Sequence, residues 1–177
     1  MTTTAEEAAK GLLGKPMELC QIGLVVRDLD ATMKQYSSLL GWGPWKVYSH
    51  EPPRHDNTRL RGESVEYTMR HAECEVNGIG FELIEPLTGP SIYKEWLEEH
   101  GEGIHHVAVS VHDPEESRQL KERFAANGAD VMMEGRIAGS IEYYYLDTQP
   151  LLKLIIEAGS GHVEGGALPF GPDYVYG

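Results

Sequence analysis

HHVAVSVHDPE, residues 105–115, repeats the pattern of CQIGLVVRDLD, residues 20–30, position by position and without a gap. In both stretches a run of apolar residues, typical of a buried strand, leads to an aspartate that can cap the helix after it. The match aligns His105 with Cys20 and His106 with Gln21. A repeat of this kind indicates an internal duplication, in which two similar units stack to bury one core.

The residues after each copy continue the same order of elements. A helix capped by Asp28 or Asp30 and running to about Leu40 is predicted to end at Gly41. Strands are predicted in WKVYSHE (45–51), ESVEYTMRHAE (63–73) and GIGFELIEP (78–86), with Asn77-Gly78 as a hairpin turn. The second copy continues with a helix and strands near 130–134, 139–147 and 151–158. We therefore predict an α+β fold, with two tandem βαβββ modules that form a partly closed sheet around a metal-binding cleft.

This pattern divides the chain into five segments. They are a flexible N-terminal extension (1–16), a first module (17–88), a linker helix (89–103), a second module (104–158) and a C-terminal arm (159–177). The polar segment PPRHDNTRLRG (52–62) is predicted to be a long loop. Its three arginines, Arg54, Arg59 and Arg61, are expected to govern substrate choice.

The composition excludes several classes of function. The net charge of −13 over 177 residues argues against nucleic-acid binding, which needs clustered lysine and arginine. There is no apolar run of about 18 residues that could span a membrane. The start of the chain lacks the basic and apolar regions of a signal peptide, and there are only two cysteines, Cys20 and Cys74. We therefore expect a cytoplasmic protein.

Four side chains at repeat-related positions predict a metal site. Gln21 and His106 occupy matching places in the first strand of each module, and Glu82 and Glu157 occupy matching places in the last. The residues on the same strand faces as Gln21 and His106 include small ones, such as Gly23 and Ala108, which leave room for a ligand. A carboxylate in an apolar strand is costly unless it is paired, hydrogen-bonded or bound to metal. We predict that Gln21, Glu82, His106 and Glu157 hold a divalent ion.

The adjacent histidines cannot both face this site, because neighbouring side chains in a strand point to opposite faces. His106 shares its face with Ala108 and is the expected ligand. His105 is expected to pack on the other side and to have a structural role.

The sequence resembles the vicinal oxygen chelate superfamily, which includes glyoxalase I, methylmalonyl-CoA epimerase, extradiol dioxygenases and bleomycin resistance proteins. The most specific stretch is FELIEPLTGPSIYKEWLEEHGEGIHHVAVSV (81–111), which is similar to the epimerase pattern. The resemblance implies a bound divalent ion (Zn, Co, Ni, Mn or Mg), with Gln21, Glu82, His106 and Glu157 as its ligands. It also implies that Glu157 and Glu66 are the catalytic acid–base residues.

The sequence departs from both closest patterns. The ligand set Gln, Glu, His, Glu matches glyoxalase I, but the arginine with which that enzyme binds glutathione aligns with Val25. The glycine-rich segment of the epimerases is replaced by GSIEYYYLDTQP (139–150). Whether coenzyme A or glutathione serves as a carrier is therefore left open.

The expected function is that of a metal-dependent isomerase or epimerase, or a related lyase, which shifts a proton alpha to a carbonyl. The expected substrate is a small carbonyl compound or thioester, and the expected assembly is a homodimer. The alternative is a metal-free protein of the same fold that binds an antibiotic or a metabolite. A dioxygenase is disfavoured, because its iron needs two histidines and Gln21 takes the place of one.

Overall fold

The computed structural model describes residues 11–161 and 168–177. The rest of the predicted N-terminal extension and C-terminal arm lies outside the described residues. The strands are β1 (Leu19–Val25), β2 (Trp45–His50), β3 (His55–Leu60), β4 (Glu63–Ser64), β5 (Thr68–Val76), β6 (Ile79–Thr88), β7 (Gly103–Val109), β8 (Val131–Ile137), β9 (Ile141–Leu146), β10 (Ile155–Ala158) and β11 (Tyr174–Tyr176). The helices are α1 (Leu29–Leu40), α2 (Ile92–Glu99), α3 (Pro114–Ala126) and α4 (Gln149–Leu152).

Helices α1 and α3 begin where the repeat places an aspartate. The side chain of Asp28 accepts a hydrogen bond from the backbone N–H of Ala31, and that of Asp113 accepts from the N–H groups of Glu115 and Glu116. Each cap satisfies backbone donors that the first helical turn leaves without partners. Helix α1 ends at Gly41, which adopts the left-handed conformation that terminates helices. The predicted boundaries of α1 are confirmed.

All eleven strands belong to one sheet, in the order β11-β2-β5-β6-β1-β7-β10-β9-β8-β3-β4. Strands β1 and β7 pair antiparallel at its centre, and each pairs in parallel with the last strand of its own repeat, β6 or β10. The order β1-α1-β2-β5-β6 recurs as β7-α3-β8-β9-β10. The predicted α+β fold is confirmed, and the sheet is large and not closed.

Helices cover the outer face of the sheet, and the inner face is divided between an apolar cluster and a cavity. Leu29 and Met33 of α1 pack on the first half of the sheet, and Leu120 and Phe124 of α3 pack on the second half. One end of the inner face is filled by side chains of β1, β6 and β10 together with those of α2: Val25, Ile84, Ile155, Ile92, Tyr93 and Leu97. The other end stays open and forms the cavity described below.

The prediction that residues 52–62 form a loop is wrong. Strand β3 pairs antiparallel with β8 and β4, so the segment forms a hairpin on the edge of the second half of the sheet. Its turn is made by Arg61 and Gly62, both with positive φ. The unpaired edge of β8, with which β3 pairs, arises only in the tertiary structure. The polarity of residues 52–62 by itself therefore predicted a loop. Arg54 and Arg61 form ion pairs with Asp173 and Glu95.

The strand predicted at 63–73 is also misplaced in part. Asn77 and Gly78 form the predicted tight turn, both with positive φ, and β5 pairs with β6 in the expected hairpin. However, β5 begins only at Thr68, and residues 65–67 belong to no strand. Glu66 is therefore outside the sheet, and its side chain is exposed.

The C-terminal arm adds an edge strand. β11 pairs antiparallel with β2, and Tyr174 donates a hydrogen bond to Asp30 while Arg70 donates one to Tyr174. The strand predicted at 151–158 is shorter than expected, since α4 occupies its start. Among the described residues, no helix has the length and apolar character needed to cross a membrane.

Candidate metal centre

Three side chains from neighbouring central strands meet at the open end of the inner face. The Nε2 atom of His106 on β7 lies 2.9 Å from Oε2 of Glu157 on β10 and 3.5 Å from Oε2 of Glu82 on β6. Potential ligand atoms of the three residues all lie within 4.8 Å of one another. His106 and Glu82 are buried, and Glu157 is nearly so. At these distances the ligand atoms of the three residues can bind one small cation together.

Strand register brings these residues together. Gly23 on β1 pairs with Glu82 on one side and with His106 on the other, and Glu157 on β10 pairs with Ala108 of β7. The two carboxylates therefore approach the histidine from opposite sides of the central strand pair. This follows the twofold relation that the repeat predicts.

A β-bulge explains how two adjacent histidines are both buried. Gly23 pairs with His106, but Leu24 pairs with Ile104, so His105 is the extra residue on β7. The ring of His105 packs against Tyr93 and Trp96 of α2, at centroid distances of 5.4 and 5.2 Å. The bulge thus leaves His105 on the inner side as well, against the linker helix, and its Nδ1 atom is 3.0 Å from Nδ1 of His106. The expectation that His105 packs on the other side of the strand is wrong.

The absence of a side chain at Gly23 creates the space for His106. A Cβ atom at this position would lie 2.0 Å from Cε1 and 2.2 Å from Nε2 of the imidazole. These distances are far below van der Waals contact, and the histidine is fully buried. Gly23 therefore fixes where the ring lies.

The charges of this cluster favour a proton on His106 when no metal ion is bound. Burial raises the pKa of Glu82. Burial alone would lower the pKa of His106, but the charge of Glu157, together with hydrogen bonding to Glu157 and Glu82, raises it. Without a metal ion, a proton on His106 thus offsets part of the repulsion between the two carboxylates.

The donor atoms fit a divalent ion. Glu82 Oε2, His106 Nε2 and Glu157 Oε2 are buried, and in the described part of the chain they have no hydrogen-bond partner outside this cluster. Buried polar atoms without partners are rare in folded proteins, and a bound ion can supply the partner that such atoms lack. Carboxylate and imidazole donors suit Zn, Mn, Co and Ni. These three residues could therefore hold the metal that the sequence predicts.

The fourth predicted ligand lines the same cavity. Gln21 lies two residues before Gly23 on β1 and pairs with Gly80, whose lack of a Cβ leaves space beside the glutamine side chain. The cavity has a volume of about 930 Å³ and is also lined by Glu82 and Glu157. Gln21 thus lines the same cavity as both carboxylates, and its role as the fourth ligand stays a prediction.

Glu66 is not brought to this cavity. It is exposed, it lies outside β5, and it is not among the residues that line the cavity. The structure thus does not bring Glu66 to the cavity wall on which it was expected to face Glu157. Residues 65–67 connect β4, at the edge of the second half of the sheet, to β5 in the first half, and Glu66 lies in this connection.

Two cavity residues of β5, His71 and Glu73, were missed at the sequence level. Glu73 pairs with Glu82 and His71 pairs with Ile84, and both line the cavity. The tight turn at Asn77-Gly78 carried the signal, because a two-residue turn fixes which residues of the hairpin are opposite each other. Counting outward from that turn places Glu73 beside Glu82.

Comparison with known proteins shows which family and which solved structures this chain resembles. Residues 20–145 match the model of the Glyoxalase/Bleomycin resistance protein/Dioxygenase superfamily. No functionally curated protein has a sequence that matches significantly. Similar solved structures include a hypothetical protein from Bacillus halodurans (21% identity, 86% of this chain and 100% of that chain, TM-score 0.61). They also include a methylmalonyl-CoA epimerase in complex with methylmalonyl-CoA and NH4+ (21% identity, 86% and 99%, TM-score 0.57) and the Mycobacterium tuberculosis epimerase (20% identity, 82% and 89%, TM-score 0.57).

These structural likenesses are below 25% identity and concern the fold alone. The family model, by contrast, covers well over half of the sequence and includes β1, β6 and β7, which carry Gln21, Glu82 and His106. The chain belongs to the Glyoxalase/Bleomycin resistance protein/Dioxygenase superfamily.

Proposed function

We propose that this protein is a divalent-metal-dependent isomerase or epimerase, or a closely related lyase, that moves a proton alpha to a substrate carbonyl. The observation that carries the proposal is the convergence of three buried ligand atoms, from Glu82, His106 and Glu157, which have no partner among the described residues outside their own cluster. A protein that only binds an antibiotic or a metabolite has no need to bury two carboxylates beside a histidine, since their desolvation is costly.

In this proposal Glu82, His106 and Glu157 are metal ligands, and Gln21 is the fourth. The ion would supply Lewis-acid stabilisation of the negative charge that develops on a substrate oxygen when the adjacent C–H bond breaks. Glu157 lies on the cavity wall and is the residue proposed to take up and return the substrate proton. Burial of Glu82 and His106 keeps bulk water from their side chains, which strengthens the electrostatic contact between them.

The cavity supports a small carbonyl compound or thioester as the substrate. Its described lining includes four glutamates and one lysine, Lys46. Such a lining has little to neutralise the phosphates of a carrier, so only the acyl part of a thioester would enter the cavity. One of the similar solved structures contains methylmalonyl-CoA, and coenzyme A esters therefore belong in the first substrate screen.

We further propose a homodimer located in the cytoplasm. The superfamily resemblance implies pairing between chains. Several large apolar side chains are exposed, among them Leu39, Leu40 and Ile104. Contacts between subunits would remove such side chains from water.

Metal analysis of the purified protein tests the proposal most directly. We expect about one divalent ion per chain, and we expect Glu82→Ala, His106→Ala and Glu157→Ala each to lose it. Glu66→Ala is the matched control, because that glutamate is exposed and outside the cavity. Full metal occupancy in the three cavity variants would rule out this metal site.

Activity is tested by C–H exchange in deuterated water with a panel of acyl-CoA esters, α-hydroxy thioesters and 2-oxo acids. The metal-loaded protein should exchange the proton alpha to the carbonyl of at least one of these compounds. If the protein binds panel members tightly without exchange and without metal, the binding-protein alternative is correct.

A further inference from the structure

Two buried histidines, His50 and His71, form a pair outside the metal centre, and His71 lines the same cavity as Glu157. Nδ1 of His71 on β5 is 2.7 Å from Nε2 of His50 on β2, and the two rings are stacked at a centroid distance of 4.7 Å. Tyr48 stacks on His71, at 5.0 Å. Both histidines are buried, and the surrounding rings hold the orientation of His71.

His71 is placed to reach a ligand in the cavity. In the order of the sheet, β5 lies on one side of the central β1–β7 pair and β10 lies on the other. The two halves face each other across the inner face, as the 2.7 Å contact between the hydroxyls of Tyr67 and Tyr143 demonstrates. His71 lines the same cavity as Glu157. Because Nδ1 of His71 is engaged by His50, Nε2 is the atom left for the cavity.

The pair is neutral at physiological pH. Burial lowers the pKa of His71 to about 4, although the charge of Glu157 acts in the opposite direction. The pKa of His50 is lowered by burial, by its histidine neighbours and by Arg54. One proton must therefore lie between the two rings, donated by one neutral imidazole to the other.

The surroundings decide the direction of that hydrogen bond. The remaining nitrogen of His50, Nδ1, has no hydrogen-bond partner in the described part of the chain, and the cation that acts on this ring is Arg54. At Nδ1 of His50, beside a cation and without an acceptor, a lone pair is tolerated better than an N–H group. His50 then donates from Nε2 to Nδ1 of His71, and the proton of His71 resides on Nε2, which faces the carboxylate-lined cavity.

We propose that His71 is a neutral hydrogen-bond donor to the substrate oxygen on which negative charge develops, and that His50 is the positioning residue that fixes its tautomer. This inference rests on the proposed proton-transfer function and adds a residue to it. A neutral donor suits the task because it stabilises a developing oxyanion without needing to change its own protonation state. His71 thereby selects substrates that present an oxygen to the wall formed by β5.

Nitrogen NMR of 15N-histidine-labelled protein tests the tautomer without metal or substrate. We expect Nε2 of His71 to carry the proton and Nδ1 to accept, and we expect His50→Leu, but not His50→Gln, to abolish this single-tautomer signature. The glutamine retains an N–H donor near the position of Nε2, whereas leucine has none. A proton on Nδ1 of His71 in the wild-type protein would overturn the inference.

The role of His71 as a donor is tested by turnover of the panel compound whose proton the wild-type protein exchanges in deuterated water. His71→Asn keeps a polar group near Nδ1 but removes the cavity donor, and it should lower kcat about 10²–10³-fold, the usual weight of one oxyanion donor. Proton exchange and any inversion of the centre should fall together. His71→Gln, whose amide reaches further, should recover part of the loss, and the exposed His100→Asn is the control.

Each other outcome counts against the inference in a distinct way. Wild-type turnover in His71→Asn, at unchanged metal content and unfolding temperature, shows that His71 has no catalytic role. If His71→Asn no longer inverts the substrate centre but still exchanges its proton, His71 is a base and not a donor. If the wild-type protein exchanges no panel compound, the proposed function fails, and the role of His71 fails with it.

Discussion

Replacing Gly23 by alanine adds one methyl group at the centre of the candidate metal site. The new Cβ would lie 2.0 Å from Cε1, 2.2 Å from Nε2 and 2.7 Å from Nδ1 of His106, all well below contact distance. The imidazole cannot move away freely, because it is fully buried and Tyr145 packs against it at 5.1 Å. The substitution must therefore displace the ring or distort β1 and β7.

Both effects are measurable. Overpacking of a buried site typically costs about 1–3 kcal/mol, which for a chain of this size corresponds to roughly 2–12 °C in the unfolding temperature. Displacing a ligand that is held by its support should weaken metal binding about 10–100-fold. Thermal unfolding of the metal-free protein gives the first quantity, and competition with a chelator gives the second.

The double variant Gly23→Ala/His106→Ala separates this clash from a general defect of the strand. With the ring removed, alanine at position 23 should add little to the effect of His106→Ala, because the three closest contacts of the added methyl group all involve that ring. Gly171→Ala is the matched control, since its Cβ would meet no atom within 4 Å. Unchanged metal affinity and stability in Gly23→Ala would refute the reasoning.

Three other predictions concern the fourth ligand, the tyrosine pair and the assembly. Gln21→Ala should weaken metal binding less than Glu82→Ala does, because water can replace a neutral amide. Gln21→His should still bind metal, and competition with a chelator compares the affinities of the three variants. Tyr143→Phe should lower the free energy of unfolding by about 1–3 kcal/mol, because it strands the buried hydroxyl of Tyr67, 2.7 Å away; denaturant unfolding should show a smaller loss when both tyrosines become phenylalanine. Light scattering at micromolar concentration should give the mass of a dimer, and a monomer would contradict the proposed assembly.

The sequence alone determined the repeated order of strands and helices. Hydrophobic periodicity, the aspartate caps and the Asn77-Gly78 turn are local signals, and local signals can be read without knowing the rest of the fold. The duplication then related Glu82 to Glu157 and Gln21 to His106. Alternation along the strand predicted that His106 is the ligand, but it did not predict the bulge that leaves His105 on the same side.

The tertiary structure alone decided what the edges of the sheet do. Residues 52–62 have the polarity of a loop, but they become β3 because β8 offers unpaired backbone groups at its edge. That pairing places β3 and β4 at the edge of the second half of the sheet, so residues 65–67 must cross to β5 in the first half, and Glu66 is exposed in this connection. The bulge at His105 and the contact between His50 and His71 likewise depend on pairing and packing between segments distant in sequence. Such contacts exist only once the sheet has formed, so no local pattern in the sequence encodes them.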